Sequence, residues 1–155
     1  VYGNESVSGN GGGIYHAFGN FNYDSTVIAG NTAGGGLGPD LYHNNGSVSD
    51  TNCLIGNNKD YSAIIAGTPN ASNSYVGTSA APIDAKLDAI ADNGGPVWTC
   101  AIQPGSPAID HGLNTLGVAF DARGIKFLRQ IGTAPDIGAF EFGAGAPAAT
   151  LILVW

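Results

Sequence analysis

Twelve carboxylates and five basic side chains supply the fixed charge of this 155-residue chain, and their spacing decides whether polysaccharide chemistry is open to it. The acids with a place in the chain's motifs are Asp24, Asp40, Asp50 and Asp60 in the first part and Asp110, Asp121, Asp136 and Glu141 in the last third. Glycoside hydrolysis needs two carboxylates about 5–9.5 Å apart across the scissile bond. Elimination from a uronate needs a base, often with a cation beside the sugar carboxylate. No two of these acids fall at equivalent positions of the sequence repeats described below, and the first part is nearly free of Lys and Arg. No catalytic residue is therefore assigned, and a polysaccharide-binding or polysaccharide-degrading protein is kept as an alternative.

The other groups that could do chemistry are few. Cys53 and Cys100 are the only cysteines. An even count fits one disulfide in an oxidising compartment, and two unpaired thiols behaving as small hydrophobes fit equally. His16, His43 and His111 have no ligand spacing with them, so no metal site is assigned. The Asp/Asn-rich turns carry the hard oxygens that a structural calcium would use, but neither an EF-hand loop nor a glycine-rich nonapeptide repeat occurs, and no cofactor is expected. A formal charge of −7 argues against nucleic acid, whose phosphates require a basic footprint. No apolar run is long enough to span a membrane as a helix.

Composition points to the elements that hold these groups. The chain is 43% hydrophobic, an ordinary globular value, but only 11% charged, with 25 glycines. A surface made of Asn, Ser, Thr and Gly disfavours helix interiors, so an all-β chain is expected. Laid on itself, the sequence repeats. "SVSGN" (6–10), "VIAGN" (27–31) and "CLIGN" (53–57) share one pattern, and "GGGIYH" (11–16) matches "GPDLYH" (38–43). Spacings of 20–30 residues are those of solenoids, whose coils bury their apolar faces only by stacking. On this pattern Val7, Ile28 and Leu54 form one column, and Asn10, Asn31 and Asn57 form a turn column, since Asn tolerates the left-handed conformation of a tight corner. Tyr15 and Tyr42, with His16 and His43 beside them, form an aromatic strip that could serve sugars or simply pack across strands.

The repeat fades after residue 60. Residues 61–70 read as a degraded coil and 71–82 as a polar loop. "IDAKLDAIADNGG" (83–95) has apolar residues at helical spacing, enough for two helical turns, with a short strand and turn as the alternative. The expected organisation is coils over 1–70, a capping region of the same domain over 71–143, and a linker with an apolar strand over 144–155. A chain end that folds back over a stack ties its loops with charge-assisted hydrogen bonds, so Arg123 is expected to pair with one of Asp110, Asp121, Asp136 and Glu141 in a structural role.

The last third, "ADNGGPVWTCAIQPGSPAIDHG" (91–112), "DARG" (121–124) and "APDIGAFEF" (134–142), resembles the C-terminal region of bacterial right-handed parallel β-helix surface proteins, the choice-of-anchor Q domain family. The resemblance extends over nearly the whole chain to about residue 142. It implies a right-handed parallel β-helix, secreted or displayed at the cell surface, with terminal coils followed by the capping region. Where this sequence has Cys53 the family usually has an aromatic residue or Asn, and where it has Cys100 the family has His. That joint departure favours a Cys53–Cys100 disulfide.

The chain begins at Val1 without an initiator Met and reads as a processed product or as part of a longer protein. Its first residues belong to a coil, whose open edge is a template for another strand. Leu151, Ile152, Leu153, Val154 and Trp155 form a β-prone apolar segment that would be an aggregation hazard in water. Both liabilities vanish if that strand of one copy covers the open end of the next, giving a non-closing head-to-tail homopolymer. The expected function is thus a non-catalytic subunit of an extracellular fibre or layer, the alternatives being the C-terminal part of a long adhesin and the glycan-active protein above. Surface glycans are a further expected partner. Sequons occur at Asn4, Asn45 and Asn70 and matter only where the host glycosylates.

Overall fold

The computed structural model describes residues 1–59 and 61–145. The described chain contains no helix and eleven short strands: β1 (Glu5–Ser6), β2 (Ile14–His16), β3 (Asn20–Asp24), β4 (Val27–Ile28), β5 (Thr32–Ala33), β6 (Leu41–His43), β7 (Ser47–Thr51), β8 (Leu54–Ile55), β9 (Tyr75–Val76), β10 (Leu87–Ala91) and β11 (Thr99–Ile102).

The expected all-β class describes these elements, but the expected right-handed parallel β-helix does not. The strands fall into five separate sheets, four of two strands and one of three, and no closed or continuous solenoid sheet runs through the described residues. Parallel pairing joins β1 to β5, β2 to β6, β3 to β7 and β4 to β8. Each pair is two strands deep except β4–β8, which β9 extends. The reason lies in the spacing. Successive segments match at 27 residues, the separation of His16 from His43, but the next step, from Cys53 to Ser74, is 21. Only the β4–β8–β9 sheet survives that change.

The register differs from the expected columns by one residue. Val27 pairs with Leu54 and Ile28 with Ile55, so Ile28 does not sit over Leu54, and Val7 lies outside any strand at 81% exposure. In a strand one residue of slip moves a side chain to the opposite face. The Asn10/Asn31/Asn57 turn column dissolves for the same reason. The backbone and side-chain nitrogens of Asn4 donate to Asn31 Oδ1 at 2.9 and 3.0 Å. Asn57 Oδ1 instead accepts from the Lys59 backbone. The non-glycine left-handed corners that lead into β4, β8 and β9 fall on Ser25 (φ 44°), Asn52 (φ 48°) and Asn73 (φ 57°), each two residues before its strand.

The β4 and β8 strands are buried on both faces, as their unbroken apolar sequence requires. One face contributes Ile28 and Ile55 to a core with Tyr23, Leu41, Cys53, Ile64 and Val76. The other contributes Val27 and Leu54 to a second core with Ala85, Ile102, Ala108 and Ile137. The last third of the chain thus packs on the outer face of this sheet. Within it, the segment read as two helical turns is instead β10, antiparallel to β11 with Leu87 opposite Ile102 and Ile90 opposite Cys100. Helical burial would have required Ile90 to face the core, whereas it is 63% exposed. Residues 61–70 form turns closed by a bridge from Gly67 to Val76 and not a further coil.

Candidate binding groove

Packing the last third against β4 leaves a groove of about 1000 Å³ between residues 1–4, Val27, the β10–β11 hairpin and the segment 137–140. Apolar side chains dominate its walls: Val27, Leu87, Ile90, Trp98, Ile137 and Phe140. The β10–β11 register shifts between Leu87 and Ile90, and such irregularities re-aim side chains at the rim of a sheet. Trp98, at the mouth of the groove, is 66% exposed.

Its opposite wall is fixed by a buried network of charge. Asp121 and Arg123 pair at 2.6 Å, and the guanidinium lies between the Phe127 and Phe140 rings, 4.1 and 3.7 Å from their centroids. Asp121 Oδ2 also accepts from the Glu141 backbone N–H, and Arg123 Nη2 donates to the Glu141 carbonyl. Glu141 pairs with Arg129 at 3.3 Å and accepts the backbone N–H groups of Ile131 and Asp136. The Asp136 carboxylate accepts those of Asp110 and Phe142. Burial pushes the Asp136 and Glu141 carboxyls above the usual carboxylate range, against the lowering effect of these hydrogen bonds. Such pairs impose geometry more than net stability. Here they hold Phe140 in the groove wall.

Of the acids proposed from sequence as ion-pair partners, Asp121 holds Arg123 and Glu141 holds Arg129. Asp136 works through backbone N–H groups, and Asp110 accepts from the Ala134 backbone, beside Gly132. Sequence reasoning missed Arg129, whose partner lies 12 residues on. The groove residues were missed too. The one local signal for them was the apolar pair Val97–Trp98 directly before the strand "TCAI".

The acids of the first part are likewise engaged. Asp24 accepts the Ser25 and Thr115 hydroxyls, Asp40 accepts both nitrogens of Asn31, and Asp50 accepts from Asn70. Burial raises the Asp40 carboxyl. Asp60 lies outside the described residues, as does the apolar segment Leu151–Trp155.

The expected Cys53–Cys100 disulfide is absent, both thiols being free. Cys53 sits in the core on one face of β4–β8, and Cys100 lines the groove on the other. Desolvation pushes the Cys53 thiol up to about 11, and burial raises Cys100 as well. Among the described residues no three His, Cys, Asp or Glu side chains are grouped to hold a metal ion. No helix there is long and apolar enough to cross a membrane.

Away from the groove, Tyr15 stacks on Tyr42 with centroids 4.9 Å apart, and His16 on His43 at 5.0 Å. Tyr61 closes both from the edge. Tyr15 is 54% exposed, whereas His16 is buried with its Nε2 unpaired. No family model, no curated protein and no solved structure matches this chain.

Proposed function

We propose that this chain is a non-catalytic structural protein of the cell surface or extracellular space that self-associates head to tail. In this account the apolar segment Leu151–Trp155 of one copy occupies the groove of the next. The observation that carries it is the groove, an open apolar channel with Trp98 at its mouth. At about 1000 Å³ it lies at the upper end of the roughly 300–1,000 Å³ of ligand sites. The ten residues that follow Gly145 supply a matching occupant, a short linker and five consecutive apolar side chains. Burying them removes an aggregation hazard, and a contact between two different surfaces propagates from copy to copy wherever its rotation does not close a ring.

A structural role is also supported by the buried charges. Asp121, Asp136 and Glu141 point at guanidinium or backbone N–H groups that fix the fold. The extracellular setting is proposed on the resemblance of residues 91–142 to surface proteins alone. Removing residues 148–155 should leave monomers in sedimentation at concentrations where the full chain forms larger species. Unchanged assembly of the shortened chain would refute the proposal.

A second reading, glycan binding, is favoured by the exposed Tyr15 ring on its Tyr42 neighbour, since an open aromatic face suits sugar stacking. Tyr15→Ala should then lower retention on an immobilised neutral glycan without changing self-association.

A further inference from the structure

Three Asn-Gly steps occur in the chain, Asn10-Gly11, Asn45-Gly46 and Asn93-Gly94. An Asn-Gly step can convert without enzyme or cofactor. The glycine nitrogen loses its proton and attacks the Asn Cγ, a new N–C bond closes a five-membered succinimide, and the Cγ–Nδ2 bond breaks to release ammonia. Water then opens either imide carbonyl to give aspartate or isoaspartate. The reaction needs the glycine nitrogen against its own carboxamide, and neither group held elsewhere, because orientation sets the rate of an intramolecular attack.

The structure separates the three steps on this criterion. The Gly11 N–H donates to the Leu37 carbonyl at 3.1 Å. The Gly94 N–H donates to Asp92 Oδ1 at 2.9 Å, and the Asn93 carboxamide is tied to the Thr99 carbonyl and hydroxyl at 2.8 and 3.0 Å. At the third step the Gly46 N–H donates to Asn45 Oδ1 itself at 2.7 Å, and both residues are exposed. No other group among the described residues holds that carboxamide.

We propose that Asn45 is a site of spontaneous deamidation, the carboxamide being converted to a carboxylate through attack by the Gly46 nitrogen. The product changes a structural joint. The turn joins β6 to β7 and rests on Gly19, close enough that a Cβ on Gly46 would collide with the Gly19 carbonyl. The next residue, Ser47, donates its N–H to that same carbonyl at 2.9 Å. Isoaspartate inserts a methylene into the backbone there and breaks the fit of β7 on β3. Either product adds a negative charge to an already acidic chain.

The test is to age the full-length, unglycosylated chain at mildly alkaline pH in heavy-oxygen water and map label incorporation by peptide mass spectrometry. In the folded chain the Asn45 peptide should convert faster than the Asn10 and Asn93 peptides by at least about tenfold, the ratio given by about 1.4 kcal/mol in barrier height. In urea the three should converge, since the selectivity comes from the fold. Equal rates in the folded chain, or faster conversion at Asn10 or Asn93, would overturn the proposal, as would an Asn45 peptide that stays unlabelled.

Discussion

The Nδ1 atoms of His16 and His43 lie 2.9 Å apart, the two rings stacked one above the other on neighbouring strands β2 and β6. One nitrogen must donate and the other accept, so the contact requires at least one neutral imidazole.

That contact makes stability depend on pH. Desolvation, with His16 adding to it, lowers the pKa of His43 below its ordinary value. A base with a depressed folded pKa binds protons more tightly when unfolded, so its stabilising contribution is full above the unfolded pKa of about 6.5 and is lost as pH falls through the folded one. The urea midpoint should therefore drop between neutral pH and about pH 5, and His43→Gln should flatten that dependence. Asp40, Asp136 and Glu141 act with the opposite sign. Their raised folded pKa values mean that their contribution grows as pH falls, which offsets part of the histidine loss. The same pH dependence of the midpoint in the parent chain and in His43→Gln, between neutral pH and about pH 5, would contradict the role given to the histidine pair.

Arg123 offers a test of the charge network. Lysine cannot reproduce a guanidinium that meets Asp121 through Nε and Nη2 while stacked between two rings. Arg123→Ala leaves a buried carboxylate uncompensated and should cost about 3–5 kcal/mol, read by chemical denaturation. Arg123→Lys should recover only part of it. A loss below about 1 kcal/mol, the range of exposed ion pairs, would show that Arg123 is not the tie described.

The close approach of successive segments is tested at glycine. A Cβ on Gly12 would run into the Thr32 carbonyl and come within 2.7 Å of the Pro39 carbonyl, so Gly12→Ala should destabilise by about 1–3 kcal/mol or more through overpacking. Gly36 has a positive φ of 77° with open space around it. Gly36→Ala should cost only the left-handed backbone term of about 1–2 kcal/mol. Thermal melts of the two variants that place Gly36→Ala below Gly12→Ala would contradict this packing.

How far the sequence reveals this structure depends on the range of each signal. The segments 11–16 and 38–43 are identical at Gly11/Gly38, Tyr15/Tyr42 and His16/His43, with Ile14 against Leu41, and they pair in the register that the match implies. The shorter match of "VIAGN" to "CLIGN" aligned Ile28 with Leu54 and missed the true pairing by one residue, because a Gly-Asn pair recurs too often in this composition to fix register. Extrapolating those matches to a solenoid failed where the step shortened between Cys53 and Ser74. The Asp121–Arg123 pair spans two residues and was within reach of local reasoning. The Arg129–Glu141 pair spans 12 residues of irregular chain, and the groove arises only when the last third folds back onto Val27, so neither was. The cysteines misled because neither an even count nor a joint departure from a family pattern says which face of a sheet each thiol occupies.

The central claim, that the apolar segment of one copy occupies the groove of another, is tested most directly by cross-linking. Cys100 is a free thiol in the groove wall, so a full-length Leu153→Cys variant provides its own reporter, with Cys100→Ala in the same background as the control. Mild oxidation followed by a non-reducing gel should give a ladder of disulfide-linked dimers and larger species that vanishes in the control. A ladder unaffected by Cys100→Ala, or a cross-linked species confined to the monomer, would contradict the account.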